Sequence, residues 1–141
     1  MLCGEYAHAL DAKGRVNFPA KMREGLGEKF ILTRGLDGCL FVYSDEGWQQ
    51  LKEKLSALPM SKSRDIQRFF FASAVEMEPD KQGRISIPQN LRDYAGLDKD
   101  IVIIGVSERA EVWDKNLWMS KLGSITTDAD KLAQTMDDLG F

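Results

Sequence analysis

The chain has 141 residues, 43% of them hydrophobic and 29% charged, with a formal net charge of −3: the proportions of a soluble globular protein long enough for one sizeable core. No run of about eighteen apolar residues offers a membrane span, and the start Met1-Leu2-Cys3-Gly4-Glu5 lacks the charged and apolar regions of a signal peptide, so a cytosolic protein is expected. Cys3 and Cys39 are too few for a disulfide framework and are expected as free thiols.

Along the chain, Glu5 to Leu10 alternates, with Tyr6, His8 and Leu10 on one side, and predicts a strand. It runs into Asp11-Ala12-Lys13-Gly14-Arg15-Val16-Asn17-Phe18-Pro19. Asp-x-x-Gly is a tight turn, because Asp bonds its own backbone two residues on and Gly accepts a positive φ. Arg15 then stands where the chain leaves the turn for a strand whose Val16 and Phe18 face inward. Pro19 suits the start of a short helix from Ala20 to Gly25, stopped by Gly25 and Gly27. Short strands follow at Phe30-Ile31-Leu32 and Leu40 to Tyr43, separated by a turn at Gly35 to Gly38. A helix is expected from about Asp45 to Leu58, with Trp48, Leu51, Leu55 and Leu58 at helical spacing, and a bridging helix from Ser61-Lys62-Ser63 to Phe71.

The second half repeats this order. Asp80-Lys81-Gln82-Gly83-Arg84-Ile85-Ser86-Ile87-Pro88 matches the first phrase at a constant offset (80 − 11 = 69), with Asp, Gly, Arg and Pro at the same internal positions. Around it lie predicted strands Ala74 to Met77, Ile85 to Ile87, Ile101 to Ile104 and Glu111 to Asp114, a helix Gln89 to Ala95 and a helix from about Asn116. A tail helix from Thr127 or Asp128 carries Leu132, Met136 and Leu139 on one stripe and is acidic outward. Two units of roughly seventy residues are too few for a solenoid and suit a pseudo-symmetric pair. The expectation is a mainly β protein with short helices (α+β), one structural domain whose two repeats share a core: residues 1–60 the first repeat with its helix, 61–72 a bridging helix, 73–122 the second repeat and 123–141 an acidic C-terminal helix.

Catalytic patterns are not found. His8 is the sole histidine and aligns with Met77, which points to packing; no Cys-x-x-Cys, paired-histidine, Gly-x-Ser-x-Gly or phosphate-cradling loop occurs, so neither an enzyme nor a metal or other cofactor is expected. The three tryptophans and Phe69 to Phe71 read as core or subunit contacts. What remains is the duplicated arginine turn. Between Asp11 and Arg23, Lys13, Arg15, Lys21 and Arg23 against one aspartate leave +3; between Asp80 and Arg92, Lys81, Arg84 and Arg92 against one aspartate leave +2. The acid lies elsewhere, at Asp128, Asp130, Asp137 and Asp138 in the tail. An arginine fork grips a phosphate or the O6 and N7 of guanine, and lysines nearby supply phosphate contacts. The alternative is that Asp and Arg pair inside each turn and merely brace it; the sequence leaves both readings open.

At these residues the chain resembles the MraZ family, whose two SpoVT/AbrB-like repeats each carry Asp-x-x-x-Arg, here Asp11 to Arg15 and Asp80 to Arg84. The resemblance runs from Gly4-Glu5-Tyr6 through Pro19-Ala20-Lys21-Met22-Arg23 and Arg34-Gly35-Leu36-Asp37 to Val102-Ile103-Ile104-Gly105 and Glu111-Val112-Trp113-Asp114. It implies a swapped-hairpin AbrB-like β-barrel, assembly into homo-oligomeric rings, and a nucleoid-associated transcriptional regulator. Its target would be double-stranded DNA, in short G-rich direct repeats upstream of the division and cell-wall gene cluster that includes its own gene. By position, Arg15 and Arg84 would be the principal DNA contacts, with Asp11 and Asp80 ordering the turns together with Gly14 and Gly83. Lys13 and Lys81 join them from charge and proximity; Lys21, Arg23 and Arg92 are more remote candidates. The competing expectation is a ring-forming protein-interaction module with only nonspecific DNA affinity.

Overall fold

The computed structural model describes residues 1–141. In chain order the elements are β1 (Glu5–Ala9), β2 (Arg15–Asn17), α1 (Ala20–Leu26), β3 (Phe30–Arg34), β4 (Leu40–Ser44), α2 (Asp45–Ser56), α3 (Met60–Phe71), β5 (Val75–Met77), β6 (Arg84–Ser86), α4 (Gln89–Ala95), β7 (Asp100–Gly105), β8 (Ala110–Asp114), α5 (Lys115–Thr127) and α6 (Ala129–Asp138), with one 3₁₀ turn at Leu36–Gly38. This is a mixed α+β architecture.

Six strands form one antiparallel sheet in the order β1-β7-β8-β4-β3-β5, and β2 pairs with β6 as a separate two-stranded ribbon. The halves exchange strands: β1 of the first pairs with β7 of the second, and β5 of the second with β3 of the first. The registers are themselves repeated. His8 lies opposite Ile101 and its counterpart Met77 lies opposite Phe30. Val16 meets its own counterpart Ile85 at the centre of the ribbon, where the pseudo-twofold axis passes.

The strands do not close into a barrel. The sheet keeps β1 and β5 as free edges, and the ribbon hydrogen-bonds to neither. Each ribbon strand is three residues long, cut off by a turn on one side and by Phe18-Pro19 or Ile87-Pro88 on the other. Proline cannot donate to a ladder, so neither strand extends far enough to bridge an edge.

Both faces of the sheet are covered, which explains why its strands read as continuous apolar runs. On one face Phe30, Leu32, Leu40, Val42, Ile101, Ile103 and Val112 meet the ribbon and the short helices through Val16, Phe18, Met22, Ile85, Ile87 and Leu91, all in one buried cluster drawn from both halves. Alternate residues face the other way. Phe41, Val102, Ile104 and Trp113 pack with Trp48, Phe70 and Trp118 beneath α2, α3 and α5. The tryptophans are therefore core residues. The helix caps repeat as well: Ser44 accepts from the Gly47 amide at 3.0 Å and Asp114 from the Leu117 amide at 3.0 Å.

Two boundaries differ from expectation for local reasons. The bridging helix begins at Met60 behind Pro59 rather than at the serine cluster, and Ser63 is buried within its first turns. Asp114, which ends β8, caps α5, so that helix starts at Lys115. His8 is half-buried, and desolvation lowers its pKa, as befits a packed side chain. Cys3 and Cys39 are free. No helix is long and apolar enough to cross a membrane.

Candidate nucleic-acid interface

Each Asp-x-x-Gly-Arg phrase folds into the same hydrogen-bonded corner. Asp11 Oδ1 accepts from the Lys13 and Arg15 amides, both at 2.9 Å, while Oδ2 accepts from Arg15 Nε at 2.7 Å. Asp80 does the same with the Gln82 and Arg84 amides at 2.9 Å and Arg84 Nε at 3.0 Å. Gly14 and Gly83 both sit at φ 79°, the left-handed region where glycine carries no steric penalty. Three donors on one carboxylate favour its charged form. The pKa of Asp11 is held down to about 2, first by the Arg15 amide and then by the Arg15 side chain, and that of Asp80 is also lowered, chiefly by the Arg84 amide.

The brace and the grip are compatible in this geometry. Only Nε of each arginine is tied to its aspartate; the two terminal nitrogens of Arg15 and of Arg84 donate no hydrogen bond within the chain. The side chains are about one-third exposed, 37% and 33%. Each guanidinium is thus aimed by one edge and open along the other.

The ribbon brings the two together. Arg15 lies opposite Ser86 and Asn17 opposite Arg84, with Val16 and Ile85 between them buried at 2% and 3% exposure. Because neighbours along a strand alternate sides and cross-strand partners share one, Arg15, Asn17, Ser86 and Arg84 all stand on the outer face. The arginines occupy one diagonal, on the order of 7–8 Å apart. Burial of Val16 and Ile85, worth roughly 1.5–3 kcal/mol each, fixes which face is turned out.

Lys13 and Lys81 are exposed on the two corners, and Lys21 is exposed on α1. Arg23 and Arg92 are placed differently. Both are half-buried and their Nε atoms donate to the carbonyls of Phe18 (3.2 Å) and Ile87 (2.9 Å). Each also lies over the corner of the other half: a Cβ at Gly14 would come within 2.6 Å of Arg92 Nε, and one at Gly83 within 3.0 Å of an Arg23 terminal nitrogen. These two arginines cross-brace the corners. Asn17 and Ser86 share this outer face with the arginines, and their signal in the sequence is a polar residue two places after each turn arginine.

A duplicated corner, strand and helix, interlocked by exchanged strands and presenting paired arginines on a short ribbon, defines a two-repeat protein with a cationic β-ribbon surface. The profile of the family described as "MraZ protein, putative antitoxin-like" matches the chain twice, at residues 1–69 and 70–139. The chain is 60% identical over 144 residues to a protein of Acetivibrio thermocellus named "Transcriptional regulator MraZ", and 53% and 52% identical over 143 residues to proteins of the same name from Caldicellulosiruptor bescii and Clostridium beijerinckii, covering all of both chains in each case. This chain belongs to the MraZ family.

Proposed function

We propose that the protein is a sequence-specific DNA-binding transcriptional regulator whose ribbon enters the major groove with Arg15 and Arg84 as its principal base contacts. The observation that carries this is the shared outward face of the two arginines, each aimed by an aspartate and each with its terminal nitrogens free. A two-stranded ribbon fits the width of the major groove, and a guanidinium fork matches guanine O6 and N7. Lys13, Lys81 and Lys21 supply phosphate contacts; Arg23 and Arg92 serve mainly by holding the corners. The relatives' name, transcriptional regulator, supports the regulatory role.

The finer reading follows from the family resemblance. The exchange of β1 and β5 between halves is the relation expected if two repeats of one chain stand in for two chains of a swapped-hairpin AbrB-like dimer. The DNA sites are short G-rich direct repeats upstream of the division and cell-wall cluster, bound at the nucleoid by a ring of subunits. Several ribbons on one rim meeting successive boxes would bind far more tightly than one, which answers the weak net charge.

Arg15→Ala and Arg84→Ala test the reading. Fold and assembly should be retained, by circular dichroism and light scattering, while discrimination between box and scrambled duplex falls by about 1–3 kcal/mol for each arginine. Equal weakening on both duplexes would reduce the role to phosphate contact. A second reading, a protein-interaction module, draws on the C-terminal stripe, where Leu132 and Met136 of α6 and Leu139 just after it are 48%, 50% and 70% exposed. Removing residues 127–141 separates the two: if box binding survives and a partner is lost, the tail has its own job beside DNA binding, whereas a full-length protein that binds box and scrambled duplex alike favours the module.

A further inference from the structure

The two arginines of the ribbon have different companions. Hydrogen bonds from the Phe18 amide to the Gly83 carbonyl and from the Ile87 amide to the Gly14 carbonyl, both 2.9 Å, fix the phase of the ladder. Pairs 14/87, 16/85 and 18/83 are then the hydrogen-bonded ones, and Arg15/Ser86 and Asn17/Arg84 fall at the close, non-hydrogen-bonded positions, where Cα atoms lie about 4.5 Å apart and side chains approach most nearly. Ser86 therefore stands beside Arg15, and Asn17 beside Arg84. Both are exposed, and neither the Asn17 amide nor the Ser86 hydroxyl makes a hydrogen bond within the chain.

Their chemistry is unequal. A carboxamide offers a donor and an acceptor at fixed spacing and matches N6 and N7 of adenine in a bidentate pair, whereas a hydroxyl donates and accepts through one rotatable oxygen and suits any base. A ribbon with identical companions would present the same surface after a half-turn about its pseudo-twofold axis and would read its site equally in either direction. This one does not.

We propose that Asn17 is a specificity-determining residue that reads an adenine next to the guanine held by Arg84, and that its replacement by Ser86 at the equivalent place beside Arg15 gives the ribbon a direction on DNA. The Arg84–Asn17 end specifies two adjacent positions and the Arg15–Ser86 end specifies one. A head-to-tail array of sites is the arrangement such a one-way reader would select. The inference rests on the ribbon entering the major groove.

The test is selection from a randomised duplex library by the full-length protein, followed by affinity measurement at fixed salt for the selected site and its single-base variants. Wild type should return an asymmetric site. Asn17→Ala should keep the guanine preferences and lose the preference at one position beside the guanine that Arg84→Ala releases, by roughly 5- to 150-fold, the ratio corresponding to about 1–3 kcal/mol. Ser86→Ala should leave that position selective. If Asn17→Ala weakens all variants equally, or if Ser86→Ala rather than Asn17→Ala removes the preference, the assignment of direction is overturned while the arginine contacts stand. If wild type selects no site and Arg15→Ala and Arg84→Ala change nothing, the DNA reading falls, and this inference with it. Both side chains are exposed, so loss of fold, monitored by thermal melting, does not confound the comparison.

Discussion

The corner at Asp11 and the corner at Asp80 share one hydrogen-bonded frame and differ first in what they turn outward. Their aspartates make the same three bonds, their glycines share φ 79°, and their arginines donate through the same nitrogen. Ala12 is replaced by Lys81, Lys13 by Gln82 and Asn17 by Ser86, all of them exposed. The residues that aim the backbone are thus separable from those that meet a partner: the first set is constrained by hydrogen bonding and left-handed geometry, the second by neither. A second difference lies beneath the surface. Arg92 presses more closely on Gly14 than Arg23 does on Gly83, and at Gly14 a backbone oxygen, that of Ile87, also lies within 2.9 Å of where a Cβ would stand.

That inequality provides the largest expected effect. Gly14→Ala combines an αL penalty of about 1–2 kcal/mol with overlap against a carbonyl that cannot swing away, and should destabilise by about 2–3 kcal/mol in urea titration. Gly83→Ala meets only the end of a flexible guanidinium, and should cost about 1–2 kcal/mol, chiefly the αL penalty. Equal losses at the two sites would show that the corners are equivalent after all and that the contact differences carry no energy.

Removing the braces sharpens the same point. Arg92→Ala deletes a bond to the Ile87 carbonyl and should cost about 0.5–1.5 kcal/mol, with Arg23→Ala at or below the lower end because its bond to Phe18 is longer. In the Arg92→Ala background part of the overlap at Gly14 is gone, so Gly14→Ala should be milder there by about 0.5–1 kcal/mol, a coupling that a double-mutant cycle reads directly. Strict additivity would place Arg92 away from the corner.

Most of this organisation is legible in the sequence because it is periodic. Alternating apolar residues, an Asp-x-x-Gly turn and a proline at a helix start each have a local physical meaning, and their recurrence at one offset fixes the pairing of halves. The α4 helix falls at Gln89–Ala95, as its flanking Pro88 and Gly96 imply. The departures are non-local. That the ribbon stands apart from the sheet depends on which edges remain unpaired, a property of the assembled strands. Arg23 and Arg92 look like exposed basic residues until folding lays each across the opposite corner. The amphipathic stripe of α6 predicts a helix correctly, yet nothing in its spacing says that the stripe stays uncovered within the chain.

The smallest effect concerns the charge on the aspartates themselves. Asp11 has a folded pKa of about 2 against an ordinary value of 3.8, so its contribution to stability is fully present above the ordinary value and is lost as pH falls through the folded one. Between about pH 4 and pH 2, protonation weakens the bond from Arg15 Nε first, since a neutral carboxyl no longer offers charge to the guanidinium. Asp80 moves in the same direction for the same cause, the bonds donated by Arg84. Side-chain carboxyl shifts followed by NMR should show Asp11 titrating near 2, with the Arg15 Nε proton broadening in step. In Asp11→Asn the amide oxygen still accepts from the Lys13 and Arg15 backbone, so the corner remains, but the guanidinium loses its tether. Weaker base discrimination with the fold retained, and a slightly lower melting temperature at neutral pH that no longer changes between pH 4 and pH 2 through this position, is then expected. A carboxylate titrating at its ordinary value, or an Asp11→Asn protein that discriminates as well as wild type, would mean that the tether does not aim the arginine.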